Sequence, residues 1–346
     1  MLGIGKALGF SDGMIAGAII SGAYFGDKIS PLSDTTVLAS SMSKVPMFDH
    51  IRYLMYTTVP SIVITLVIFT ILGFSHSGSD SSLINEYTSV LESKFNITPW
   101  LLIVPALTAV MIARRMPALI VLALSTATAA IAAVIFQPDI IREIGASIAG
   151  DGSNAKILFT GTIESIYNSV SIETGNPEVN QLVASKGMLG MLNTVYLIIC
   201  AMCFGGSMTA SGMLESLTSV FLRFMKRTVG LVASTVASGL FLNICTADQY
   251  ISIILTGNMF KDIYKKKGYE SRLLSRTVED AVTVTSVLIP WNTCGMTQAT
   301  ILGVATFTYL PYCFFNLISP LMSITIAAIG FKIKRKNEKT ESVVTG

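Results

Sequence analysis

Runs of about twenty apolar residues recur along this chain, and that is the length a helix needs to cross the hydrocarbon core of a bilayer. The clearest lie at 50–74, 188–209 and 308–331. Residues 99–136 are long enough for two spans, divided by Arg114-Arg115-Met116-Pro117. Pro117 fits the first turn of the second helix, where its missing N–H costs least, and the arginines belong at an interface rather than in hydrocarbon. Of the 346 residues 51% are hydrophobic and only 13% charged, with a mean hydropathy of +0.64. A soluble domain carries roughly 25% charged residues, so the expected fold class is an all-α polytopic membrane protein whose partner is the lipid bilayer.

The remaining composition narrows the function classes. A net charge of +3 gives no footprint for nucleic acid. The five cysteines lie in apolar stretches, an odd count that argues against a disulfide framework. Cys200 and Cys203 form a C-x-x-C inside one of the spans, where small apolar packing is the better reading. His50 and His76 are far apart and are assigned to loops, so no histidine metal site is expected. There is no His-Glu-x-x-His, no Ser/His pair at membrane depth and no glycine-rich phosphate loop, so an enzyme is not expected. Met1–Lys6 lacks the layout of a signal peptide.

Charge sets the orientation. Arg114-Arg115, Lys226-Arg227, the basic stretch 261–276 and the tail cluster 332–336 belong on the cytoplasmic side, with the C-terminus. The polar loops 75–98 and 137–187 carry few basic residues and are expected outside. Residues 229–260 are apolar yet flanked by lysines that want the same side. A re-entrant hairpin satisfies both flanks, with 230–242 entering, 243–249 at the tip and 250–260 returning. Irregular backbone at that depth is tolerated only where it is buried in protein or lines a wet cavity.

Two further segments read as broken helices: 12–42, interrupted at Ser30-Pro31-Leu32-Ser33, and 272–307, interrupted at Pro290-Trp291-Asn292-Thr293. Similar text follows each break. Tyr53-Leu-Met-Tyr56 and a span ending Gly73-Phe74 match Tyr309-Leu-Pro-Tyr312 and a span ending Gly330-Phe331, with Pro60 and Pro320 inside the spans. The charge rule runs the two copies in opposite directions, the inverted-repeat pattern of secondary transporters. The expected organisation is 1–74 as the end of a first repeat, 75–98 as an external loop, 99–331 as a complete second repeat and 332–346 as a cytoplasmic tail. On this reading, three spans and a hairpin of the first repeat are expected before Met1. The pattern also allows a homo-oligomer.

Carboxylates in apolar surroundings carry the chemistry, because an intramembrane charge is a functional hypothesis by default. Asp27, Asp34, Asp248 and Asp280 are the candidate ion- and proton-binding residues. A hard cation such as Na+ wants oxygen ligands, and Ser30, Ser33, Thr35, Thr36, Asn243, Thr246, Thr285, Ser286, Asn292 and Thr293 supply them in the same segments. Burial disfavours an ionised carboxyl and a bound cation favours it, so proton and cation compete for one site. Plainer readings stand beside these. Asp34 or Ser33 fits an N-cap, Asp27–Lys28 fits a local ion pair, and Glu279 fits a structural partner of Arg276.

Gly22-Ala-Tyr-Phe-Gly-Asp-Lys-Ile-Ser-Pro-Leu-Ser-Asp-Thr-Thr36 resembles the signature of the NhaC-type sodium/proton antiporter family. Arg276-Thr-Val-Glu-Asp280, with Ile289-Pro-Trp-Asn-Thr293, is similar to that family's second block. The resemblance implies a bacterial plasma-membrane antiporter of the ion-transporter superfamily that moves Na+ and H+ with no cofactor. It also implies a region of several spans before the first motif. Members similar in these blocks include a malate/lactate antiporter, so exchange of organic anions is the alternative reading, with a truncated, non-transporting fragment as a further one.

Overall fold

Backbone polar groups in hydrocarbon are satisfied within a helix, and helix accounts for nearly all the regular structure of this chain. The computed structural model describes every residue except 1, 32, 76–80, 115, 151, 214, 215, 217–226 and 334–346. His76, Arg115, Lys226 and the tail cluster from 334 onward lie outside the described residues. Among the described residues the β-structure is confined to isolated bridge positions, such as Val170 paired with Ser185. Among the described residues four helices are long and apolar enough to cross a membrane, and up to six spans result if each of two bent pairs counts as one. The chain is thus an all-α, multi-pass membrane protein. It divides into two units, Phe10–Ser77 with Thr194–Gly346, and Leu2–Gly9 with Gly78–Asn193.

The first unit opens with α1 (Asp12–Ile29) and α2 (Asp34–Met42), the two arms of a broken helix. Pro31 cannot continue α1, and the Ser30 N–H closes it by donating to the Asp27 carbonyl at 3.0 Å. α3 (Met47–Ser75) has 29 residues, about 43 Å at the α-helical rise. It starts three residues before the apolar run, so His50 is in its first turn and not in a loop. His50 is buried, with Nδ1 2.9 Å from Ser275 Oγ. α4 (Leu192–Ala210) is the next long apolar helix.

α5 (Thr228–Thr246) and α6 (Gln249–Lys266) form the hairpin. Its turn is only Ala247, left-handed at φ 57°, and Asp248, the N-cap of α6. The tip is therefore shorter than 243–249, because Asn243 and Thr246 keep helical hydrogen bonding inside α5. Each arm is about 27–28 Å long. The hydroxyls of Thr235 and Tyr264 meet between the two arms, and Thr228 meets Tyr269 just beyond the end of α6. The apolar core lies beside them: Leu231, Val232 and Val236 of α5 pack with Ile253 and Phe260 of α6.

The second broken helix consists of α7 (Ser271–Val278), a π-helical turn over Glu279–Thr283, a 3-10 turn over Ser286–Leu288, a short bend at 289–292 and α8 (Thr293–Leu302). The last apolar run is not one straight rod. A short arm, Thr306–Tyr312, meets α9 (Phe314–Ile329) at 55°, where Pro311 removes a backbone donor. Packing is reciprocal: α1 lies against α9, α7 against α3, and α3 against α9.

The second unit corrects the two polar loops, which carry helices at Ser81–Lys94, Pro138–Ala149, Asn154–Tyr167 and Pro177–Val183. Ile140 and Ile141 are buried, so the middle segment is amphipathic rather than merely polar. Gly145 and Gly161 bring Pro138–Ala149 and Asn154–Tyr167 into backbone contact; a Cβ on either would strike a carbonyl oxygen, of Ile157 or Ile141. Pro117 is the N-cap of the helix Ala118–Phe136, one position before its first turn.

Candidate functional site

The end of α1 meets the π turn in the interior of the first unit. A π turn inserts one residue into the helical ladder and is frequent at functional sites; here it carries two adjacent, fully buried carboxylates, Glu279 and Asp280. Lys28 Nζ lies 2.5 Å from Asp280 Oδ1 and donates to Ser319 Oγ at 2.8 Å. Thr57 donates to the same Asp280 oxygen at 3.0 Å. The ammonium also sits 5.5 Å from the Phe315 ring centre. Lys28 is thus the partner of Asp280 rather than a local partner of Asp27. Arg276 approaches Asp280 Oδ2 at 4.0 Å, not Glu279. Its guanidinium lies 4.6 Å from the Tyr53 ring centre, a cation–π contact, and has no hydrogen-bond acceptor among the described residues.

One residue earlier on each element, Asp27 and Glu279 converge on Thr35 in the first turn of α2. Thr35 Oγ1 is 3.3 Å from Asp27 Oδ2 and 3.3 Å from Glu279 Oε1. Ser33, the N-cap of α2, places its hydroxyl 2.9 Å from Thr35 Oγ1. The second Glu279 oxygen has no donor among the described residues.

The other two aspartates are elsewhere. Asp34 is exposed; it accepts from its neighbour's backbone at Thr35 N, 2.9 Å, and from Tyr250 OH at 2.6 Å. Asp248 caps α6 through Ile251 N at 2.9 Å, and Thr293 Oγ1 donates to its other oxygen at 3.4 Å.

Most of the remaining oxygen-bearing candidates hold the two breaks in shape. Thr36 donates to the Lys28 carbonyl, and the Ser30 N–H closes α1. Thr246 binds the Asp248 carbonyl and Ser252. Asn243 donates to the Val282 carbonyl at 2.7 Å and to Thr285, which itself donates to the Ala281 carbonyl. Ser286 donates to Gln249. Asn292 donates to the Asn243 carbonyl and caps α8 at Cys294 N. These amides and hydroxyls satisfy carbonyls that the irregular helix leaves open, as burial requires.

Three participants escaped the sequence reading: Lys28 as partner of Asp280, Glu279 as partner of Thr35, and Asn316, whose side chain donates to the Val284 carbonyl at 2.7 Å. Asn316 was visible as a lone amide in an apolar span. Among the described residues no three acidic, histidine or cysteine side chains gather as a metal cluster. A cation site built here draws on two carboxylates plus hydroxyls.

A family profile described as the Na+/H+ antiporter family matches residues 22–331. The chain belongs to that family. This family member is 36% identical over 336 residues to the Na+/H+ antiporter NhaC of Alkalihalophilus pseudofirmus, covering 97% of this chain and 69% of the relative. It is 36% identical over 332 residues to the malate-2H+/Na+-lactate antiporter of Bacillus subtilis, covering 95% of this chain and 67% of the relative. At 31% identity over 341 residues it also resembles the arginine/ornithine antiporter ArcD of Halobacterium salinarum, covering 97% and 67%. No solved structure matches. The matched region begins within α1 and contains both breaks and the hairpin.

Proposed function

We propose that the chain exchanges Na+ for H+ across the bacterial plasma membrane, as a transporter and not an enzyme, with its C-terminal end in the cytoplasm. One observation carries the reading: the breaks of two helices set Asp27 and Glu279 against one hydroxyl, beside a buried ion pair. Carboxylates held away from bulk water bind either protons or a hard cation, and competition between the two yields antiport when the unloaded site does not cross. The names of the NhaC relatives support Na+ as the cargo, and the reciprocal packing of α1, α3, α7 and α9 supports two inverted repeats. Everted vesicles containing the protein, energised to an acid interior, test it. Sodium should dissipate the pH gradient, and no sodium-dependent recovery of dye fluorescence at any pH sinks the reading.

Exchange of organic anions is the second reading, drawn from the malate/lactate relative and from Arg276, whose guanidinium has no hydrogen-bond acceptor among the described residues. Two features weigh against it. Lys28 is engaged by Asp280, and that same carboxylate stands 4.0 Å from Arg276, where it repels an anion. Uptake of labelled malate by proteoliposomes separates the two readings.

A further inference from the structure

The helix Asn154–Tyr167 in the second unit has two apolar faces and only one of them is covered by protein. Ile157 and Gly161 pack against Pro138–Ala149. On the other face Phe159, Ile163 and Ile166 recur at helical spacing, and Phe159 and Ile163 are 69% and 47% exposed. Lys156, Thr160 and Glu164, at four-residue spacing, run as a polar strip between the two faces. A helix with a polar side and an open apolar side lies in the plane of a membrane interface.

The neighbouring span sets the depth. Ala118–Phe136 has 19 residues, about 28 Å at the α-helical rise, which matches a hydrocarbon core of roughly 30 Å. Phe136 therefore stands at one boundary. Ile131 and Ile135, both exposed, lie within about 7 Å of it on the hydrocarbon side. Phe159 and Ile163 line a single groove with Ile131, Val134 and Ile135, so they reach that same depth, inside the roughly 5–10 Å to which interfacial helices sink.

The groove holds about 360 Å³. Among the described residues its one hydroxyl, on Thr162, already donates to the Leu158 carbonyl at 2.7 Å. A bound water needs several polar partners, and this groove offers none. Its other wall is the lipid-facing side of the span, so the leaflet that covers Ile131 and Ile135 continues into it.

We infer that the helix Asn154–Tyr167 lies in the membrane interface and that a phospholipid acyl chain occupies the groove between it and Ala118–Phe136, with Phe159 and Ile163 as the outer wall. The segment read from sequence as part of an external loop is thus a lipid-binding element, and the inference does not depend on the sodium-for-proton reading.

The full chain, reconstituted in liposomes of phosphatidylethanolamine and phosphatidylglycerol, tests it. Phe159→p-benzoylphenylalanine, a photoreactive side chain, should on irradiation give a product heavier by one phospholipid in mass spectrometry. Glu164→p-benzoylphenylalanine, on the polar strip, should give far less. In a second measurement, lipids brominated along the acyl chains should quench Phe159→Trp more than Glu164→Trp, and aqueous iodide should reverse the order. Trp100 and Trp291 contribute the same background to both variants. If Phe159 does not tolerate replacement, Ile163 takes its place in both experiments. A chain-to-chain product from the position-159 variant overturns the inference, because a second copy then fills the groove. So does the lack of any lipid product there, or stronger quenching of Phe159→Trp by iodide than by brominated lipid.

Discussion

Lys28 reaches across 252 positions of sequence to place its ammonium 2.5 Å from Asp280, and neither side chain is exposed. Each residue adjoins a break: Lys28 lies two residues before the Ser30-Pro31 joint, and Asp280 lies in the π turn. The pair therefore fastens one irregular helix to the other at the point where both lose regular backbone.

Removing one partner strands a buried charge, so Lys28→Met or Asp280→Asn should each destabilise by about 3–5 kcal/mol. The double variant, which leaves neither charge, should cost clearly less than the sum. Denaturant unfolding of the four proteins in one detergent measures the coupling, and strict additivity would contradict the pairing.

Tyr250 on α6 donates to Asp34 on α2 at 2.6 Å, in a partly exposed setting. Tyr250→Phe and Asp34→Ala should each cost on the order of 1 kcal/mol. The double variant should cost little more than the larger single one, because both remove the same bond. The melting temperatures of the three variants report this directly.

Two amides keep the carbonyls of the second break from going unpaired. Asn316→Ala leaves the Val284 carbonyl without its donor, and Asn243→Ala does the same to Val282. Each should lower stability by about 1–3 kcal/mol, and hydrogen exchange should speed up in 279–288 before it does in α5. Equal acceleration throughout the unit would mean that the amides do not act locally.

Backbone contact between the helices Pro138–Ala149 and Asn154–Tyr167 leaves no room for a side chain. Gly145→Val and Gly161→Val should separate the two helices, at roughly 1–3 kcal/mol or more. Faster proteolysis between the two helices is the readout, and wild-type resistance in both variants would refute the close approach.

The long helices were legible because apolar length and loop charge are properties of the chain itself. Both breaks were legible for the same reason, since Pro31 and Pro290 interrupt apolar text. What could not be read was partner choice across the fold. Lys28 stands next to Asp27 in sequence, and local spacing favoured that pair, but the helix end turns Lys28 toward a residue in another element. Glu279 and Arg276 were matched at three residues apart, whereas Arg276 faces Asp280, four residues on. Asp34 and Asp248 had the same apolar context as Asp27, and only the structure separates a cap or an exposed contact from a carboxylate aimed inward. The polar loops were misread because their helices are amphipathic, with too few consecutive apolar residues to register as spans.

The hairpin tip and the second break are stitched together three times: Thr293 N–H to the Ala247 carbonyl at 2.8 Å, Asn292 to Asn243 at 3.1 Å, and Trp291 to Ile244 at 2.8 Å. A hinge at Pro290 would have to tear all three seams together, so the hairpin tip and the second break are held as one block, like the frame of a valve. The joint at Ser30-Pro31 is fastened differently, by bonds within the broken helix itself: Ser30 N–H to the Asp27 carbonyl, Ser33 N–H to the Ser30 carbonyl and the Thr36 hydroxyl to the Lys28 carbonyl. Asp27 and Lys28 stand side by side just ahead of that joint, so any displacement of one would be felt by the other and by the ion pair of Lys28 with Asp280.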